Sequence, residues 1–216
     1  MYQCCIFDLD GTLVNSIEAL TKSVNDTMRH FGIEPIDAVC CKSFVGEGYK
    51  KLVERALIHG GDTMLRHYEE ALLIYQKVFR ECCMYHVEPY VGIRELLEAL
   101  KKRKIRIAVL SNKPHDRVMD NVNGIFGKGY FDLVNGQKEE VPRKPNPAGI
   151  YLTAKKLGMK PEECLYIGDS SIDMKTGKAA GMDTVAVLWG FCEKEELLAY
   201  HPEYVVNCPN EILDFV

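Results

Sequence analysis

The chain has 216 residues, of which 47% are hydrophobic, 27% charged and 9% aromatic, and a net charge of −4, which excludes a disordered chain and suffices for one large domain or a domain carrying an insertion. Lys and Arg number 27 against 31 Asp and Glu, so neither nucleic acid nor anionic membrane is expected as a partner. No apolar run nears the roughly 18–20 residues of a bilayer span, and the N-terminal apolar stretch meets Asp8 and Asp10 too early for a secretory signal; a cytoplasmic protein is expected.

The elements read in chain order. Cys4–Phe7 is a short apolar run with the character of a buried strand, ending at Asp8-Leu9-Asp10-Gly11-Thr12. From Asn15 the period becomes helical: Ile17, Leu20, Val24, Met28 and Phe31 recur every three or four residues, Asn15 and Glu18 have capping-box spacing, and Gly32 closes the pattern. A second helix fits 50–59. Gly60-Gly61 breaks it, and Asp62 is placed to cap a third helix through Leu65, Tyr68, Leu72, Tyr75 and Phe79. Residues 15–84 therefore read as an all-helical block. After Pro89 and Gly92 the pattern alternates: helix 93–103, strand 105–110 ending at Ser111-Asn112-Lys113, helix 117–126, strand 131–134, helix 148–157, strand 164–167 ending at Gly168-Asp169, a helix to Ala180, and strand 184–188. Alternation of this kind predicts an α/β fold, a doubly wound parallel sheet of the Rossmann-like type formed by 1–14 and 85–216, with the helical block as an inserted domain.

The nine cysteines include three adjacent pairs, Cys4-Cys5, Cys40-Cys41 and Cys82-Cys83, and no C-x-x-C spacing. Reduced structural thiols are expected, one member of each pair in the core. The six histidines have no metal-ligand spacing.

In an open α/β sheet, ligands bind beyond the carboxyl ends of the strands. Three strands end there in polar clusters, Asp8/Asp10, Ser111/Asn112 and Asp169/Asp173, and a loop adds Lys144 before Pro145. Taken singly, each has a plainer role: a turn aspartate, a helix-capping serine, a solvated lysine, an acidic residue at a helix start. Together they place four carboxylates at one rim, where their repulsion calls for a divalent cation, and an oxygen-only donor set suits Mg²⁺.

The segments Asp8-Leu9-Asp10-Gly11-Thr12, Ser111-Asn112-Lys113, Lys144-Pro145-Asn146-Pro147 and Gly168-Asp169-Ser170-Ser171-Ile172-Asp173 resemble the four motifs of the haloacid dehalogenase superfamily. The helical block is similar to that family's cap, and Phe44-Val45-Gly46-Glu47-Gly48 with Leu52–Leu57 resembles the cap of its phosphoglycolate phosphatase-like members. The resemblance implies that Asp8 is the nucleophile and Asp10 the general acid and base. Mg²⁺ would be held by Asp8, the Asp10 main-chain carbonyl and Asp169, with Asp173 standing behind these ligands or reaching the ion through water. Ser111, Lys144 and the N–H groups after Asp8 would stabilise the transferring phosphoryl group, and Thr12, Asn112, Gly46, Glu47 and Gly48 would contact substrate. Arg55 or Lys50 would reach a substrate carboxylate. Lys113 either assists at the site or faces water. Asp10 separates phosphatases and phosphomutases from dehalogenases. The expected partner is a small phosphorylated metabolite, 2-phosphoglycolate first. A phosphosugar mutase, a pyrophosphatase or 5′-nucleotidase, and a non-catalytic binding protein of the same fold are the alternatives; oligomeric state is not addressed by the sequence.

Overall fold

The computed structural model describes residues 2–216. In chain order the elements are β1 (Cys4–Phe7), β2 (Val14–Asn15), α1 (Ile17–Arg29), α2 (Ala38–Lys42), α3 (Tyr49–His59), α4 (Tyr68–Cys82), β3 (Glu88–Pro89), α5 (Ile93–Lys102), β4 (Arg106–Pro114), α6 (His115–Ile125), β5 (Leu133–Gln137), α7 (Ala148–Leu157), β6 (Cys164–Gly168), α8 (Ser171–Ala179), β7 (Asp183–Val187), α9 (Lys194–Leu198) and β8 (Tyr204–Val206). Contacts divide the chain into two units: the stretch up to Asn15 together with Glu88–Val216, and Ser16–Val87.

The first unit is an α/β layer structure. Its sheet has the order β5-β4-β1-β6-β7-β8 with every pair parallel. The chain moves outward from β1 through β4 to β5, then crosses back to β6 on the other side of β1. That reversal is the topological switch that opens a crevice at the strands' carboxyl ends. Phe7 pairs with both Val109 and Ile167, so the segments leaving β1, β4 and β6 emerge at one rim. The short pair β2–β3 joins the two crossings of the chain, with Val14 opposite Pro89.

Strands covered on both faces bury every residue. This is why Cys4 and Cys5 are both in the core, against the expectation of one per pair; in Cys40-Cys41 and Cys82-Cys83 only the second member is buried. β4 also runs beyond the expected end at Leu110. Ser111, Asn112 and Lys113 continue it, with the pairing to β5 shifting register between Leu110 and Pro114. Polarity suggested a loop here, yet these side chains are buried and satisfied at the site. β8 and α9 were not anticipated, being too short to show a period.

The second unit is helical. α1 packs against α4, α2 and α3, burying Ile17, Leu20, Val24 and Met28. The expected capping box at its start is not formed: Asn15 lies in β2, Ser16 is the N-cap, and Glu18 instead meets His86 Nδ1 at 2.7 Å. The third long helix starts at Tyr68, after Asp62 has accepted hydrogen bonds from the N–H groups of Arg66 and His67 and Leu65 has turned to φ +52°. No helix among the described residues is long and apolar enough to cross a membrane.

Candidate active site

Asp8 is the first residue past β1, and its N–H donates to Ile167 O of the neighbouring strand at 2.9 Å, which fixes the nucleophile candidate at the switch point. Asp169 is the first residue past β6. Asp173 lies in the first turn of α8, where it and Ser170 form a capping box. Oxygens of Asp8, Asp169 and Asp173 lie within 4.8 Å of one another, all three side chains buried.

Lys144 enters this cluster from the loop before α7. Its Nζ stands 2.9 Å from Asp8 Oδ1 and donates to Asp173 Oδ1 at 2.8 Å. Burial works against its charge, but Asp173 and Asp8 outweigh that and hold the ammonium well above its ordinary pKa. Two hydrogen bonds pin the lysine's main chain: Asn112 Nδ2 donates to Lys144 O at 3.0 Å, and Lys144 N donates to Asn112 Oδ1 at 2.9 Å. Asn112, expected against the substrate, thereby also places Lys144.

Thr12 was expected to contact substrate as well. Its hydroxyl donates to Asp169 Oδ1 at 2.8 Å and its carbonyl accepts from Trp189 Nε1 at 3.0 Å. The other Asp169 oxygen accepts the Phe191 N–H at 2.9 Å. A Cβ on Gly11 or on Gly190 would overlap Asp169, and Gly11 also has φ +86°, so both positions demand glycine. Trp189-Gly190-Phe191, following β7, is a part of the site that motif reading did not find. The signal was available: a glycine just past a strand, at the edge where the other polar clusters end.

Asp173, expected behind the metal ligands or in contact with the ion through water, has both oxygens engaged. Oδ1 accepts from Lys144 and, at 3.0 Å, from Tyr166 OH; Oδ2 accepts from Ser170 N and Oγ at 3.1 and 2.5 Å. It serves as the fixed counter-ion of Lys144. Tyr166, a phenol inside an apolar strand, was also missed.

Asp10 faces a second lysine. Lys113 Nζ donates to Asp10 Oδ1 at 2.8 Å, and the lysine side chain is only 3% exposed, so the water-facing alternative does not hold. Ser111 is buried at the same strand end, and its Oγ accepts from Lys113 N. Gly46, Glu47 and Gly48 lie in the helical unit between α2 and α3, with Gly46 and Gly48 at φ +117° and +84°. There Arg55 pairs with Glu47 and donates to Phe44 O at 3.0 Å, fastening the loop to α3.

Electrostatics decide what this rim is able to hold. Asp8 is pushed up to about 7, chiefly by burial, with Lys144 opposing the shift and Asp173 and Asp10 adding to it. Burial, then Asp173 and Asp8, push Asp169 up to about 8. Carboxylates crowded this way gain most from a hard divalent cation, and the donors are all oxygen, so the residues present fit one.

The haloacid dehalogenase-like hydrolase family matches the chain over residues 5–187, and the chain belongs to that family. A phosphoglycolate phosphatase of Colwellia psychrerythraea is 32% identical over 213 residues, spanning 96% of this chain and 94% of its own. The crystal structure of a predicted phosphoglycolate phosphatase from Haemophilus somnus superposes with a TM-score of 0.92 at 25% identity, covering 99% of this chain and 97% of that one. A haloacid dehalogenase-like family hydrolase from Streptococcus pneumoniae gives 0.87 at 26%, covering 99% and 98%. Within the family, the chain falls with the phosphoglycolate phosphatase-like members.

Proposed function

We propose that the protein hydrolyses a small phosphomonoester, 2-phosphoglycolate first among candidates, through a phosphoryl group carried on Asp8, with Mg²⁺ as cofactor. It is a phosphoric monoester hydrolase. The observation that carries the mechanism is Lys144 Nζ lying 2.9 Å from Asp8 within a cluster of buried carboxylates at the sheet's switch point.

In the first half-reaction an Asp8 oxygen attacks phosphorus and the ester oxygen leaves with a proton from Asp10. In the second, water attacks the phosphoryl group, Asp10 takes its proton, and phosphate departs as Asp8 is regenerated. Attack requires the charged form of Asp8, which Lys144 favours against burial. Lys144, held by the Asn112 clamp, and the Ser111 hydroxyl, held on β4, offer donors to phosphoryl oxygens as charge shifts among them. Asp8, Asp169 and the Asp10 main-chain carbonyl would hold Mg²⁺, which neutralises the carboxylates and withdraws charge from the phosphoryl group when bound. A reducing, cytoplasmic setting suits nine cysteines with no disulfide among the described residues.

Phosphate release from a panel of phosphomonoesters, with Mg²⁺ and with chelator, tests the reading. Asp8→Asn is expected to fold and to lose at least about 10³-fold in kcat, because an amide is no nucleophile. Substantial turnover by that variant, or by chelated enzyme, would refute the assignment.

A further inference from the structure

The mechanism leaves one buried charge at the rim without a task. Lys113 is as deeply buried as Lys144, yet it bonds Asp10, and neither half-reaction uses it. Burying an ammonium is costly, and the ion pair alone would not justify keeping one there, since such pairs return little beyond their desolvation cost.

Resting on the phosphatase reading, we infer that Lys113 is a specificity-determining residue that binds a carboxylate carried by the leaving group, one carbon from the ester oxygen. Asp10 hands its proton to that ester oxygen, and Lys113 Nζ sits 2.8 Å from the Asp10 carboxylate. Whatever is bonded to the same oxygen therefore lies beside Lys113. In 2-phosphoglycolate the carboxyl carbon is two bonds from the ester oxygen, near enough for one ammonium to meet both acids. An ammonium carries three N–H donors, so holding Asp10 and receiving a carboxylate are compatible. The pairing also divides labour between the lysines: Lys144, tied to Asp8 and Asp173, faces the phosphoryl group, and Lys113 faces the group that leaves. Within the helical unit Arg55, which with Lys50 was expected to reach a substrate carboxylate, is already paired with Glu47.

Ethyl phosphate is 2-phosphoglycolate with a methyl in place of the carboxylate, and comparing the two isolates the contact. The kcat/KM ratio of 2-phosphoglycolate to ethyl phosphate is expected to fall by about tenfold or more in Lys113→Met and Lys113→Gln, the worth of a charge-assisted hydrogen bond, mostly through KM. A purely structural role, acting through Asp10, would slow both substrates alike and leave the ratio unchanged; that result overturns the inference. Lys113→Arg should keep most of the preference. Should the neutral variants fail to fold, a crystal structure of Asp8→Asn with 2-phosphoglycolate decides: its carboxylate within hydrogen-bond distance of Lys113 Nζ supports the inference, and a carboxylate directed elsewhere ends it. If the wild-type enzyme hydrolyses other phosphomonoesters with no preference for 2-phosphoglycolate, the inference fails alone; if it hydrolyses none, the phosphatase reading fails with it.

Discussion

The two units bury polar groups in opposite ways. Among the described residues, the buried polar groups of the helical unit are uncharged and include Ser16, Ser23, Thr27 and the Tyr75 phenol, and Ser23 and Thr27 donate to carbonyls four residues back in α1. Such bonds ask nothing of the tertiary structure. The α/β unit buries Asp8, Asp169, Asp173, Lys113 and Lys144, each answered by a residue far away in sequence. One unit is stabilised by apolar faces, with its charged pairs at the surface; the other carries a charged interior whose stability depends on protonation and cations.

Four experiments sharpen that contrast. Lys144→Ala strands Asp173 and Asp8 without their cation, and should cost about 10²–10³-fold in kcat and roughly 3–5 kcal/mol of stability, measured by phosphate release and denaturant melts. Retention of both would mean the charged interior is not a coupled network.

Protonation gives the second. Folded, Asp8 and Asp169 keep protons up to about 7 and about 8, whereas their ordinary value is 3.8. Between those limits the unfolded chain binds fewer protons, so these groups subtract stability as pH rises from about 4 to 8. Metal-stripped protein should melt several degrees lower at pH 8 than at pH 5, and Mg²⁺ should raise the melting temperature more at pH 8. Asp8→Asn should flatten the trend, and calorimetry showing the same slope in that variant would count against it.

Asn112→Ala removes both bonds to the Lys144 main chain, with an expected cost of about 1–3 kcal/mol and a loss near tenfold in kcat as the lysine loosens. The smallest effect belongs to the helical unit. Glu47→Gln breaks a pair whose side chains are 34% and 40% exposed, so it should change stability by about 1 kcal/mol or less; a larger loss in a chemical melt would show that this loop bears more of the unit's stability than its solvation suggests.

How much of this was legible in the sequence varies with the type of signal. The parallel sheet was readable because buried strands are short apolar runs and their helices keep a 3.6-residue period; α7 is found within its expected bounds. β8 and α9, at three and five residues, are below the length at which a period shows. The aspartates at β1 and β6 stood out because charge directly after an apolar strand is costly unless it has a use. Tyr166, Trp189 and Gly190 did not stand out, since a phenol in a strand or a glycine in a loop is ordinary until a carboxylate is known to lie beside it.

By itself the sequence determined where strands end and which charged residues stand at those ends, because hydrophobic periodicity and a Gly or Asp at a turn are local properties. Only the tertiary structure decided the pairings: Lys144 with Asp8 and Asp173, Lys113 with Asp10, Asn112 with the Lys144 main chain, Thr12 with Asp169. Those depend on distance and dielectric across the gap between β1, β4 and β6, and residues 29 to 157 positions apart along the chain carry no mark of each other until the sheet sets them side by side.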